Sequence, residues 1–392
     1  MTGGRAPLLA AAAALGALSL AAATFVRAQA APAPWHYFAH DQQVYLAIAR
    51  TPFADDPQIH HASGSWRLLP PLLARYIGMP LGGPERGFLV LTFATFALLP
   101  GACLAWLTAL GVSRTSSIAC AAVMALAPPV VGLLAWDVVR VDSVGLLLLF
   151  LAVTAAVRAN GVLLCVVVTA MAFTKETALL GAFFALAWAV CVDRRLLAAA
   201  VISAALAFAI RSLLQWGIPP SPVYPFDNLK DFRVVMTSMS PSYAARRLLL
   251  TTAGTWNLLL PFVAAGMASR RWGGRELALT GAIGVAMIQL LFATDNERVA
   301  AAGYPFVLAW CALQLDTLDE RRRRWAAAAI VLAQIPWLLQ MGRVWPAPLP
   351  EDQLPHVPPI RYVEIAIALA SAAAAVVALT RRMRVRMRMA PA

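Results

Sequence analysis

Four short charged segments interrupt an otherwise apolar chain, and each carries residue types suited to acid–base or phosphate chemistry. The first is Asp41, within WHYFAHDQQVYLAIARTPFADDPQIHHASGSWRLLPPLLARYIG, residues 35–78. The second is Asp137-Val-Val-Arg140-Val-Asp142. The third is Lys175-Glu176, and the fourth is Asp295-Asn296-Glu297-Arg298, with Tyr304-Pro305 about two turns on. Carboxylates act as general bases and hold hard divalent cations that bridge phosphates. Arginine and lysine bind phosphate directly. Each segment also has a plainer structural reading. Asp41 can cap a helix, 137–142 can be a polar turn with internal pairing, Lys175-Glu176 can be charge glue between helices, and 295–298 can be a capped helix start.

Spacing sharpens some of these readings. Adjacent helical residues point ~100° apart, so Lys175 and Glu176 each need a partner elsewhere. Asp295 and Arg298 are three apart and can meet on one face. Asp142 is expected to open a helix, where an unpaired carboxylate near lipid is costly. His36, His40 and Asp41 have spacing that can bring two ring nitrogens and a carboxylate together, and His60-His61 follow Asp55-Asp56. No further ligand is specified for a structural metal. A divalent cation, Mg or Mn, held by carboxylates together with a substrate phosphate fits this chemistry better.

The elements that must position these residues are membrane helices. Of 392 residues, 61% are hydrophobic and 13% charged, with a mean hydropathy of +0.71. A soluble domain runs nearer half apolar and a quarter charged, so a water-soluble enzyme, a disordered chain and a secreted disulfide scaffold are excluded. Apolar blocks fall at about 7–26, 87–110, 117–135, 143–157, 161–173, 177–192, 196–216, 250–268, 277–293, 299–315, 325–342 and 361–380. These give an all-α polytopic bundle of about 12 crossings, by the length of helix that spans a bilayer.

The charge of +13 orients that bundle rather than binding nucleic acid. With the N-terminus inside, Arg114, Arg158, Arg194-Arg195, Arg270-Arg271-Arg275, Arg321–Arg324 and the tail RRMRVRMR (381–388) are all cytoplasmic. Inside stand 17 Arg against 5 acids; outside stand 13 Arg and 2 Lys against 14 acids. This is the bias that sets membrane orientation. It also requires residues 161–192 to be a hairpin with Lys175-Glu176 at its outer tip, because a single crossing would invert every basic turn downstream. The 13-residue first arm reaches only ~20 Å, so the tip is expected below the outer surface, in protein or a wet cavity.

The long connections, about 27–86, 217–249 and 343–360, are all outer. All four charged segments and all five histidines, His356 included, share that face. The economical explanation is an outer-facing polar cavity. Two interfacial helices are expected in the first outer loop. One follows Asp41 and carries Tyr45, and the other spans 66–78, with Arg67, Arg75 and Tyr76 as polar anchors. Residues 1–30 resemble a signal peptide with a small-residue site at Ala28-Gln29-Ala30, but the long apolar run favours a retained first helix. Cys103, Cys120, Cys165, Cys191 and Cys311 lie inside apolar blocks and read as packing residues.

The order of these features resembles bacterial membrane proteins of the GT-C glycosyltransferase superfamily. The residues that carry the likeness are D-x-Q-x-Y-x-x-x-A-R-x-P-F (Asp41 to Phe53), Arg67-Leu-Leu-Pro-Pro-Leu-Leu, Asp142 opening the fourth helix, Thr174-Lys175-Glu176-Thr177, and Asp295-x-x-Arg298. The likeness spans most of residues 1–315 as a core, with 316–392 as C-terminal helices and a basic cytoplasmic tail. It departs at His40-Asp41-Gln42, where a Gly after the Asp is expected, and in having no large C-terminal outer domain. The resemblance implies transfer of a sugar from a polyprenyl-phosphate donor to a glycan, lipid or protein acceptor on the periplasmic face of the inner membrane. It gives Asp41, with Asp142 and Glu176, the catalytic carboxylate roles. Arg140, Lys175, Arg298, Tyr45 and Arg67 would contact substrate or phosphate, with Asp137 and Asp295 in support. Trp35, Trp66 or Trp136 can stack on a sugar. A secondary transporter and a non-catalytic subunit of a cell-envelope assembly are the alternatives.

Overall fold

A chain this apolar must satisfy its backbone hydrogen bonds within each segment, and among the described residues every regular element is helical. The structure is a computed structural model in which residues 5–29, 39–52, 67–131, 139, 141–216, 255–256, 258–270, 272–290, 300–336, 338, 366 and 370 are described. The helices are α1 (Arg5–Gln29), α2 (Ala39–Arg50), α3 (Leu69–Gly78), α4 (Pro84–Ala109), α5 (Arg114–Leu126), α6 (Asp142–Val157) and α7 (Gly161–Thr174). They continue as α8 (Thr177–Cys191), α9 (Leu197–Trp216), α10 (Leu259–Ser269), α11 (Gly274–Leu290), α12 (Tyr304–Leu315) and α13 (Glu320–Leu332).

The 161–192 block is a hairpin, broken between α7 and α8 at Lys175-Glu176. Both interfacial helices form, as α2 and α3. The expected 117–135 span is interrupted at Ala127, with helix to Leu126 and again over 128–131. Ala127 takes φ −58°, ψ 118°, as a residue before Pro128 must, because the proline ring clashes with a helical predecessor. The last described long helix begins earlier than expected, at Glu320, because Asp319 caps it by accepting the Arg322 N–H at 2.9 Å.

Among the described residues, three stretches are long and apolar enough to cross a membrane: Ala6–Val26, Pro84–Ala109 and Arg194–Leu214. Six further apolar helices run 10–17 residues. Length therefore supports three crossings directly, and the count of about 12 rests on the charge pattern. Part of the shortness has a physical reason. α12 is buried on every side, with each residue from Tyr304 to Leu313 inside the bundle, so it packs against protein rather than lipid. It contacts α4, α5, α6, α10 and α11. Trp106 on α4 donates Nε1–H to the Pro305 carbonyl at 2.8 Å. Its ring meets Phe184 edge-on at 5.6 Å, and Phe184 lies 5.2 Å from Phe306. α7, by contrast, exposes Val162 and Val166.

The turns gather at two ends. At one end, Ser113 N–H and Ser116 Oγ donate to Asp316 at 2.8 and 2.6 Å. Arg270 donates to the Leu313 carbonyl at 2.6 Å, and Gly274 packs on the Cys191 carbonyl. These are the turns that the charge pattern assigns to the cytoplasm. Their polar side chains largely cap their own helices: Ser113, Asn160, Asp193 and Asp319 each accept an N–H from the segment they open. The opposite end holds the first loop, the start of α6, the α7–α8 tip and the end of α9.

α3 packs against α4 through glycines. A methyl group at Gly87 would overlap the Ala74 carbonyl, and one at Gly78 would overlap the Gly83 carbonyl. Gly284 on α11 has nothing within 4 Å of such a group. Gly87→Val is therefore expected to cost about 3 kcal/mol or more and to lower the thermal stability of detergent-purified protein sharply. Gly284→Ala should match the parent in the same assay.

Candidate functional site

The second end of the bundle collects charge that its helices do not satisfy locally. α7 ends at Thr174, and Lys175 follows with extended backbone, φ −165°, ψ 164°. This turns the chain and carries the lysine toward α6. Its Nζ pairs with the Asp142 carboxylate, and both groups are buried. Asp142 is the first residue of α6, so the pair fastens the hairpin tip to the start of the neighbouring helix.

Glu176 stands just before α8 yet makes no capping bond to it. Its carboxylate is gripped by two arginines from distant segments. Arg211, on α9 and 4% exposed, donates Nη2–H to Oε1 at 2.7 Å and Nη1–H to the Ala172 carbonyl at 3.3 Å. Arg67, just before α3, donates Nη2–H to Oε2 at 3.4 Å. Its Nη1–H goes to the Tyr45 hydroxyl at 2.6 Å. The Nε of Arg67 is buried with no hydrogen-bond partner among the described residues.

Burial alone would raise the Glu176 pKa. Arg67, Arg211 and Lys175 outweigh it and hold the carboxyl at about 2, against an ordinary 4.5. The stability this contributes is fully present above pH 4.5 and is lost as the pH falls toward 2. Burial likewise lowers the Arg67 pKa, but Glu176, Tyr45 and Asp142 raise it by more, so the guanidinium stays charged.

Tyr45 ties this cluster to α2. The far end of α2 is fixed separately: Arg75 donates to the carbonyls of Ala49 and Arg50, and Arg50 pairs with Glu85. Free carbonyls at a helix C-terminus accept such donors readily. Asp41 lies in α2 one turn before Tyr45. The side chains of His40 and Asp41 lie outside the described residues, as do Asp137, Arg140, Asp295 and Arg298.

The site thus joins five of the expected segments' residues, Tyr45, Arg67, Asp142, Lys175 and Glu176, to a sixth that the sequence reading missed. Arg211 is the lone charge in the apolar block 196–216. A lone charge inside a membrane segment is itself a pointer to a site. Among the described residues no three His, Cys, Asp or Glu side chains gather to hold a metal. Asp142 and Glu176 are compensated in place by cations, which is the arrangement of ion pairs and not of a cation cage. What the cluster offers is positive charge: two carboxylates and three cations, largely buried except for Glu176, whose side chain is 37% exposed.

No protein-family model matches the sequence, and no curated protein is similar to it by sequence. Solved structures do share its fold. An oligosaccharyltransferase of Archaeoglobus fulgidus, solved with zinc and sulfate, aligns with a TM-score of 0.52 and 13% identity, covering 83% of this chain and 52% of that one. The arabinofuranosyltransferase AftD from Mycobacteria aligns with a TM-score of 0.52 and 20% identity, covering 87% of this chain and 28% of that one. The chain spans about half the length of the first and under a third of the second. At these identities the likeness is one of fold: the chain shares its helical architecture with an oligosaccharyltransferase and an arabinofuranosyltransferase.

The Lys175–Asp142 pair gives a direct test of the cluster. Lys175→Met leaves a buried carboxylate uncompensated and is expected to cost about 3–5 kcal/mol. The double variant Asp142→Asn/Lys175→Met should recover most of that loss in thermal unfolding. Equal stability of the single variant and the parent would show that the pair does not form.

Proposed function

We propose that the protein is a glycosyltransferase of a bacterial inner membrane, moving a sugar from a polyprenyl-phosphate donor to a cell-envelope glycan, lipid or protein on the periplasmic face. The observation that carries this reading is the Arg67–Tyr45 bond, which ties α2, and with it the backbone of Asp41, to the cationic tip of the hairpin. A GT-C-type fold with that juxtaposition supplies the two things glycosyl transfer needs: a base and a phosphate-binding group.

In this scheme the acceptor hydroxyl oxygen attacks the anomeric carbon of the donor sugar. Its proton goes to the Asp41 carboxylate. The bond from the anomeric carbon to the phosphate oxygen breaks, and the electron pair stays on the phosphate. Arg67, assisted by Tyr45, stabilises that growing charge in a site where a desolvated cation acts strongly. Asp142 holds Lys175 and Glu176 holds the arginines, so these carboxylates act by orientation. Arg140 and Arg298 add positive charge, with Asp137 and Asp295 in support. The lipid tail enters from the bilayer, so the donor need not be extracted. The topology that goes with this scheme has about 12 crossings, both termini in the cytoplasm and a core over 1–315.

Asp41→Asn should lower transfer about 10²–10⁴-fold in membranes supplied with polyprenyl-phosphate sugars, at normal protein level. Retained transfer would remove Asp41 as the base. Single cysteines placed at 137, 176 and 295 in a cysteine-free background should react with impermeant reagents from the periplasm. Labelling from the cytoplasm alone would overturn both the topology and the placement of the site.

A further inference from the structure

Glu176 divides its two carboxylate oxygens unequally between two arginines. Arg211 holds one at 2.7 Å, and Arg67 reaches the other only at 3.4 Å. The two cations also differ in how firmly they are seated. Arg211 lies on α9 and is almost fully buried. It is anchored a second time by the Ala172 carbonyl in the last turn of α7, where helix carbonyls lack an internal partner. Moving it would strand a carbonyl and a carboxylate together. Arg67 lies outside any helix, at the entrance to α3. Its short bond is to the neutral Tyr45 hydroxyl; like the Nε of Arg211, its own Nε is buried and makes no hydrogen bond among the described residues. The Nε–Nη2 edge of that guanidinium therefore makes one long bond where a planar, charged acceptor would make two short ones.

We infer that Arg211 is a positioning residue that keeps Glu176 compensated, so that Arg67 can leave Glu176 for the phosphate group of a membrane lipid. This rests on the proposed lipid-phosphate chemistry of the site and adds which cation moves and what permits it. If Glu176 had only Arg67, departure of Arg67 would leave a carboxylate without its counter-charge in a largely dry site, and the lipid phosphate would have to outbid it. With Arg211 in place the exchange is nearly balanced. Among the described residues, the other charged or titratable groups around Glu176 are Lys175, which pairs with Asp142, and Tyr45, which accepts from Arg67. The low pKa of Glu176 agrees with this picture: removing one of its cations moves its titration up toward the ordinary carboxylate value.

The test uses the full-length protein in nanodiscs of neutral lipid, with a sugar-free polyprenyl phosphate as probe. Affinity is read at about pH 7.5 and about pH 4.5 as the ratio of variant to parent, which cancels the probe's own titration. Arg211→Gln should bind about tenfold more weakly than the parent near pH 7.5, because Glu176 now retains Arg67. It should recover part of that loss near pH 4.5, as protonation of Glu176 begins to free Arg67. The double variant Glu176→Gln/Arg211→Gln removes both charges. It should bind more tightly than Arg211→Gln near pH 7.5, because no carboxylate competes for Arg67, and its ratio to the parent should not change between the two pH values. Parent-like binding by Arg211→Gln near pH 7.5, an equal loss at both pH values, or a double variant as weak as the single would each overturn the inference. So would a parent that binds no polyprenyl phosphate, or inorganic phosphate binding as tightly as the lipid. A parent that shows this pattern and transfers no sugar would instead overturn the glycosyltransferase reading alone.

Discussion

One carboxylate organises the functional end of this molecule. Glu176 sits in a turn between two short apolar helices, where an isolated negative charge would be costly. Its compensation comes from residues remote in sequence: Arg211 on α9, and Arg67 from the first long connection. Because Arg67 also holds Tyr45, the need to neutralise one group draws together α2, the entrance to α3, the hairpin tip and the end of α9. The adjacent Lys175 does the same for α6 through Asp142. The site is therefore a consequence of charge balance in an apolar chain as much as of helix packing.

The two ends of the bundle handle polarity in different ways. At the Ser113–Asp316 end, Ser113, Asn160, Asp193 and Asp319 cap the segment that follows them, and Ser113 and Ser116 also reach across to Asp316. At the Glu176 end, helix caps are given up and the same kinds of side chain reach across between elements. Local stability is traded there for a shared polar cluster, which is the usual physical mark of a working surface.

The sequence made the elements readable but not their pairings. The hairpin break at 175–176 was legible because charge parity leaves no other solution. α2, α3 and the opening of α6 at Asp142 were legible from local spacing. The argument that Lys175 and Glu176 cannot satisfy each other also followed from helix geometry. Which partner each would take did not. Arg67 and Glu176 are 109 residues apart, and Lys175 and Asp142 are 33 apart. No local pattern encodes which of several cations crosses to which acid. Arg211 escaped because it hides within an apolar run, where hydropathy averages out a single charge. The break at Ala127 was available in principle from Pro128-Pro129 and was overridden by the length of the apolar block.

The brevity of α7 has a consequence for the lipid around it. Its 14 residues reach only about 21 Å, yet it presents Val162 and Val166 outward, so hydrocarbon must meet a helix several ångströms shorter than itself. A bilayer accommodates such a mismatch by thinning. Headgroups beside α7 are then drawn toward the bilayer centre and toward the level of the tip at Lys175-Glu176. Around α7 the membrane surface is therefore expected to dip toward the level of that tip.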